Sequence, residues 1–247
     1  MENSSRYNGF KIVKIPIRGL FFSSAPCPEP KPGAHDPDLY RLPEENPGTP
    51  PGGSMAREFE VKYRLTETAR DAIARKFGPM DTIVMETVYY DTPSGALSAR
   101  KWMLRRRLEN GHSLCTLKTP GENGGRGEWE VAEGDIRQAF PRLAALGAPE
   151  ELLLLAEEGL TQLCAASFTR QVSTVRFGQS QLELALDQGQ LLGPRGTLPL
   201  LELEAELKSG ADADVLAFGQ QLEKDYGLVP EPDSKFKRAR SLARERR

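Results

Sequence analysis

Glu58-Phe59-Glu60-Val61-Lys62-Tyr63-Arg64-Leu65 alternates without interruption between formal charges and apolar side chains. Successive side chains of a β-strand point to opposite faces, so a period of two predicts a strand. One face of it carries Glu58, Glu60, Lys62 and Arg64, and the other Phe59, Val61, Tyr63 and Leu65.

The same pattern recurs downstream. Arg105 and Arg107 share a face, as do Glu128 and Glu130. Glu183 and Asp187 alternate with Leu182, Leu184 and Leu186, and Glu202, Glu204, Glu206 and Lys208 alternate with Leu201, Leu203, Ala205 and Leu207. On one strand this would be an ordinary solvated face. Glutamates at i, i+2 and i+4 nevertheless repel, being roughly 7 Å apart along a strand. Repetition in strand after strand instead predicts a charged interior. Acids there bind hard divalent ions, and Lys and Arg bind a polyanion, Arg with a bidentate fork.

Between these strands the chain reads as α+β. A helix is predicted over Thr66–Phe77, with Thr66 as N-cap and Gly78-Pro79 as the stop. Thr82–Tyr90 is a strand ending at the turn Asp91–Gly95. Trp102–Glu109 and His112–Thr119 form a hairpin about Asn110-Gly111. Pro120–Gly125 reads as a Gly-rich loop, Glu128–Val131 as a strand and Gly134–Gly159 as helical. Strands follow at Ala166–Phe177 and Gln181–Asp187, either side of Gly178-Gln179-Ser180, and at Leu200–Lys208. Helices follow from Asp212 to Tyr226 and within Ser234–Arg247. Such a chain is expected to form a barrel or a strongly curved sheet, and closing it would put the charges inside and the helices outside.

Composition narrows the function. The 247 residues carry a net charge of −2, unlike a protein that coats nucleic acid. The longest apolar run, Leu152–Ala156, is far too short to span a bilayer. Cys27, Cys115 and Cys164 cannot all pair and have no ligand spacing, which fits a reducing, cytoplasmic location. Only His35 and His112 are present, which speaks against a His/Cys zinc site and leaves carboxylates to hold Mg2+ or Mn2+.

Residues 1–54 hold ten of the 19 prolines and read as an uncored, disordered extension; the folded domain is 55–247. Gly19–Phe22 is too short for a signal-peptide core. Two readings stand: Met55 is the true start, or the extension is a tail that is made.

The ordered segments resemble those of the CYTH, or triphosphate tunnel metalloenzyme, superfamily. Glu58-Phe59-Glu60-Val61-Lys62 matches its ExExK signature. Tyr89-Tyr90-Asp91-Thr92-Pro93 resembles YxDTP, Leu104–Arg107 LRxR, Thr116-Leu117-Lys118 TLK, and Arg126-Gly127-Glu128-Trp129-Glu130 RxExE. Leu186-Asp187-Gln188-Gly189 resembles LDxG, Glu202–Lys208 ExExEL, and Ser234-Lys235 with Arg238 SKxxR. ExExK alone is weak; the ordered set, over about residues 56–240, is strong.

The resemblance implies an eight-stranded antiparallel β-barrel enclosing a triphosphate site. It implies Glu58, Glu60, Glu202 and Glu204 as metal ligands, with Asp187 and Glu128 completing or orienting that shell. Lys62, Arg64, Arg105, Arg107, Lys118 and Arg170 would hold phosphates, and Lys235 and Arg238 would close one end. Glu60, Asp187 and Lys62 are the expected catalytic group. Glu130 and Glu206 share the site parity without an assigned role. Arg106 has the wrong parity, His112 reads as a surface residue, and Trp102 and Trp129 as packing.

The expected reaction is metal-dependent hydrolysis of a small triphosphate, inorganic tripolyphosphate first, by a monomer or homodimer needing no nucleic acid or membrane. Thiamine triphosphate hydrolysis and adenylyl cyclisation are alternatives, and a non-catalytic polyphosphate or nucleotide-binding module is one of another class.

Overall fold

The computed structural model describes residues 59–120 and 126–242. Glu58, the predicted 1–54 extension and most of the predicted Gly-rich loop lie outside them. The strands are β1 (Glu60–Arg64), β2 (Asp81–Asp91), β3 (Met103–Glu109), β4 (His112–Pro120), β5 (Arg126–Ala132), β6 (Thr161–Phe177), β7 (Ser180–Gly193), β8 (Gly196–Ser209) and β9 (Val229–Pro230). The helices are α1 (Glu67–Phe77), α2 (Ala96–Ala99), α3 (Ile136–Ala145), α4 (Glu151–Glu157), α5 (Asp212–Tyr226) and α6 (Lys235–Ser241).

All nine strands join one antiparallel sheet, in the order β5-β4-β3-β2-β6-β7-β8-β1-β9. The expected eight-stranded barrel is corrected on two points: among the described residues there are nine strands, and the ladder is open. Its outermost strands, β5 and β9, do not pair with each other. The reason is local. β9 has only two residues, and one is Pro230, which has no N–H to donate to a further strand.

Local signals set most boundaries. The Thr66 side chain accepts the Ala69 N–H at 3.2 Å and so caps α1. Asn110 and Gly111 both adopt positive φ, as a tight two-residue hairpin turn requires. Asn110 also ties the β3–β4 tip to β2: its N–H donates to the Val84 carbonyl and its Oδ1 accepts the Val84 N–H. The single helical stretch predicted over Gly134–Gly159 is two helices. Gly147, at φ +92°, and Pro149 break it between α3 and α4. The strands β6, β7 and β8 are each longer than the sequence reading gave.

The apolar faces of the strands bury against helices. Tyr63, Leu182, Leu184, Leu186, Leu203 and Ala205 pack with Ile73 of α1 and with Val215, Phe218 and Leu222 of α5. Leu104, Leu117 and Val131 pack with Phe140 and Leu143 of α3 and Leu152 of α4; Trp102 and Trp129 pack against this cluster, as read from sequence. Each such large side chain contributes about 1.5–3 kcal/mol by leaving water. The opposite, charged face has its own apolar floor, in which Met85, Tyr89, Phe168, Leu191 and Leu200 meet Ala239 of α6, with Phe236 packed against it. No helix among the described residues is long and apolar enough to cross a membrane.

Candidate functional site

Antiparallel register builds the site. Lys62 lies opposite Glu204, and Arg64 opposite Glu202, in the β1–β8 ladder. Glu202 lies opposite Asp187, and Asp187 opposite Arg170. Residues far apart in sequence thus form cross-strand neighbours on one face, where opposite charges attract.

At the centre are Asp187, Glu202 and Glu204, whose ligand oxygens lie within 4.8 Å of one another. Asp187 and Glu202 are fully buried. Three cations serve these three acids. Arg170 forks onto Asp187, with Nε to Oδ1 at 2.8 Å and Nη2 to Oδ2 at 2.8 Å, and also bonds Glu204. Lys235 Nζ lies 2.7 Å from Asp187 Oδ2 and 2.7 Å from Glu204 Oε1, and bonds Glu202 as well. Arg238 bonds Glu202 through Nη2.

The α6 cap aims the last two. Ser234 Oγ accepts the Lys237 N–H at 3.1 Å, starting the helix there. Lys235 and Arg238, three residues apart, then share its inner face.

The cluster holds as a set. At an effective dielectric of ~20, one pair at 2.7 Å gains about 6 kcal/mol. Each buried ion loses several kcal/mol of hydration, so the balance is near zero and removing one partner is costly. The titration shifts express this tension. Burial pushes Glu204 up, but Lys235 and Arg170 outweigh it and hold the carboxyl below its usual range. Glu202 goes the other way: burial, reinforced by Glu204, raises it despite Lys235 and Arg238. Burial also opposes charge on Lys235 and on Arg170, yet their carboxylate neighbours raise both.

Glu60 and Lys62 stand on β1 at the edge of this centre, 3.3 Å apart. Burial and the nearby Glu204 raise the Glu60 carboxyl, with Lys62 opposing. Glu206 lies opposite Glu60 and pairs with Lys208 at 3.0 Å.

A second charged limb lies on β3, β4 and β5. Arg105 is buried and donates from Nε to Thr116 Oγ1 at 3.3 Å; Thr116 donates to Glu130 at 2.7 Å. Burial and the adjacent Arg107 hold the Arg105 pKa below its ordinary value. Arg107 bonds Glu109 at 3.1 Å, and its Nε is buried without a hydrogen-bond partner among the described residues. Lys118 pairs with Glu128 at 2.6 Å. Tyr89 stands between the limbs, packed on Phe236 with the rings tilted by 36° and 4.8 Å between centroids, and within the fields of Arg105, Arg107 and Lys235.

The structure therefore brings Glu60, Lys62, Arg170, Asp187, Glu202, Glu204, Lys235 and Arg238 together. Arg64 joins them through Glu231. Arg105, Arg107, Lys118 and Glu128 form the second limb, and Glu128 is not part of the central carboxylate group. Arg106 is off the site and bonds the Gly134 carbonyl at 2.8 Å. His112 is exposed on the hairpin.

Sequence reasoning missed Glu231, a buried carboxylate that meets both Arg64 and Arg238. Its only signal was an acid between two prolines just before Ser234-Lys235. The Asp91-Thr92-Pro93 segment proves to be a structural knot. Asp91 accepts the N–H groups of Thr92 (2.8 Å), Leu97 (2.9 Å) and Ser98 (3.2 Å) together with the Ser98 hydroxyl.

An antiparallel sheet presenting convergent carboxylates and guanidinium and ammonium groups on one face has the donor chemistry to take an anion together with a hard cation. The chain belongs to the CYTH family, whose domain model matches residues 56–239. It is 30% identical over 191 residues to the inorganic triphosphatase of Haemophilus influenzae, a match covering 74% of this chain and 54% of that protein. The chain thus spans about half the length of that relative. The fold resembles that of a Hippeastrum adenylyl cyclase-like protein described as having a dominant triphosphatase activity. The TM-score is 0.51 at 19% identity, over 76% of this chain and 98% of that one.

Proposed function

We propose that this chain hydrolyses a linear triphosphate at its terminal phosphoryl group, with inorganic tripolyphosphate as the first substrate and Mg2+ or Mn2+ as the ion. The carrying observation is the Asp187–Glu202–Glu204 group ringed by Arg170, Lys235 and Arg238. Three carboxylates with no His or Cys among them suit a hard, oxygen-seeking ion. Asp187, Glu202 and Glu204 would hold it, with Glu60 beside them, Glu58 as a further proposed ligand, and Glu128 orienting Lys118. When bound, the ion supplies Lewis-acid polarisation of phosphate oxygens and acidifies water.

The chain's own groups do the rest. Lys62, Arg64, Arg105, Arg107 and Lys118 bind and align phosphate oxygens, and Arg170 joins them from the central cluster. The basic groups stabilise charge on the transferring phosphoryl group and the leaving diphosphate. Asp187, held by the Arg170 fork, would complete and orient the carboxylate shell around the ion. Glu60, its carboxyl raised by burial and Glu204, accepts the water's proton, and Lys62 at 3.3 Å steadies that carboxylate. Lys235 and Arg238 close the α6 side.

A bare polyanion fits better than thiamine triphosphate. The aromatic groups on the site face are already engaged, Tyr89 by Phe236 and Phe168 by Lys235 at 5.3 Å. The free, buried thiols Cys115 and Cys164 support a reducing, cytoplasmic setting. Residues 55–247 are the working unit, as a monomer or homodimer.

The test is a panel of tripolyphosphate, thiamine triphosphate and ATP, each with Mg2+, Mn2+ or EDTA. Phosphate release, fastest from tripolyphosphate and abolished by EDTA, is expected. Binding without turnover would make the chain a polyphosphate-binding module, and diphosphate release from ATP a cyclase.

A further inference from the structure

We propose that Glu231 is a positioning residue that aims the outer edge of the Arg64 guanidinium at the phosphate oxygens of the ligand. The inference rests on the triphosphate reading above and adds to it a residue outside every motif that led there.

The geometry is that of a bracket. Glu231 is 5% exposed, whereas the Arg64 side chain is 62% exposed. A long exposed arginine ordinarily samples many rotamers, and fixing it costs side-chain entropy. Here Glu231 Oε2 accepts from Arg64 Nε at 2.8 Å. That bond uses the inner edge of the guanidinium and leaves both Nη groups for an incoming anion, in the planar fork that suits phosphate. Among the described residues, Glu231 is the sole ion-pair partner of Arg64.

The carboxylate is itself held. Its Oε1 accepts the Asp233 N–H at 3.1 Å, and its own N–H donates to the Lys62 carbonyl at 2.8 Å. Pro230 and Pro232 flank it and restrict the backbone. Oε2 also meets Arg238 Nη1 at 3.4 Å. One buried acid therefore connects the β1 arginine to the α6 arginine that bonds Glu202. Burial pushes the Glu231 carboxyl up, but the Asp233 N–H and Arg64 outweigh it and hold it below the usual range, so it is ionised at neutral pH.

The test uses the full chain with tripolyphosphate and Mg2+. Glu231→Gln keeps the shape and an acceptor oxygen but removes the charge that holds Nε. Its KM should rise about fivefold with kcat within about twofold, the signature of lost binding that is equal in ground and transition states. In the Glu231→Gln background, Arg64→Ala should raise KM by clearly less than it does in the wild type, because the aim of the guanidinium is already lost. A purely structural Glu231 would instead lower the melting temperature and give additive effects. Arg64→Lys, on an exposed side chain, keeps the charge but has no Nε to be gripped. It should raise KM similarly, and it stands as the test if Glu231→Gln does not fold. A wild-type KM in a folded Glu231→Gln or in Arg64→Lys, or additivity in the double variant, overturns the proposal. A wild-type chain that neither binds nor cleaves triphosphate overturns the functional reading as well.

Discussion

The Lys235 ammonium stands 2.7 Å from Glu204 Oε1, at the point where the oxygens of Asp187, Glu202 and Glu204 converge. A lysine there does the electrostatic work of a cation. Replacing it with Met leaves the buried Asp187 and Glu202 and the half-buried Glu204 short of one partner. The metal-free Lys235→Met variant should lose about 3 kcal/mol of stability, seen as a lower melting temperature. Mn2+ should restore that loss and bind more tightly than to wild type by calorimetry. Equal Mn2+ affinities would show that ion and ammonium do not compete for one position.

Glu60 is the raised carboxyl at the rim of that centre. Glu60→Gln should cut phosphate release at saturating Mg2+ by at least about tenfold, in line with loss of a positioned acid–base group. Wild-type turnover would end its catalytic assignment.

Arg107 belongs to the second limb and, among the described residues, bonds only Glu109, through Nη1. Arg107→Ala should raise KM for tripolyphosphate about tenfold while circular dichroism stays unchanged, as expected for one lost charge-assisted contact. An unchanged KM would remove Arg107 from the phosphate-binding set.

Asp91 is buried and ties the β2 end to α2 through its bonds to Thr92, Leu97 and Ser98. Asp91→Ala should cost about 3 kcal/mol, because it strands buried N–H donors. The KM of the surviving folded protein should not move. A shifted KM with unchanged stability would give Asp91 a role in the site instead of the fold.

Cys115 and Cys164 are buried, and burial pushes both thiols up to about 12. The thiolate is the reactive form, so almost none is present at pH 8. Peptide mapping after treatment with a thiol reagent should find these two unlabelled in the native chain and labelled in guanidinium. Rapid native labelling of either would contradict its packing.

Local regularity made most of this site readable. Parity along β1 and β8 placed Lys62, Glu202 and Glu204 on one face, because a period of two needs no knowledge of the partner strand. The strand-to-strand register that sets Asp187 against both Arg170 and Glu202 was not written in any single segment. Barrel closure failed as an expectation because it depends on whether the first and last strands of the ladder meet. A two-residue β9 containing Pro230 carries too weak a local signal to foresee. The break between α3 and α4 was legible in Gly147 and Pro149, but the leucine spacing outweighed it. Glu231 escaped because a lone acid in a proline-rich turn looks like solvent-facing loop until the tertiary contacts to Arg64 and Arg238 are visible.

The short helix α6 is seated by unlike forces at once. Lys235 and Arg238 grip the acids, while Phe236 and Ala239 lie on Tyr89, Leu191 and Leu200. Lifting it would wet a greasy surface in the same instant that it stripped the acids of their counter-charges. The helix is thus held by two kinds of contact that would be lost together.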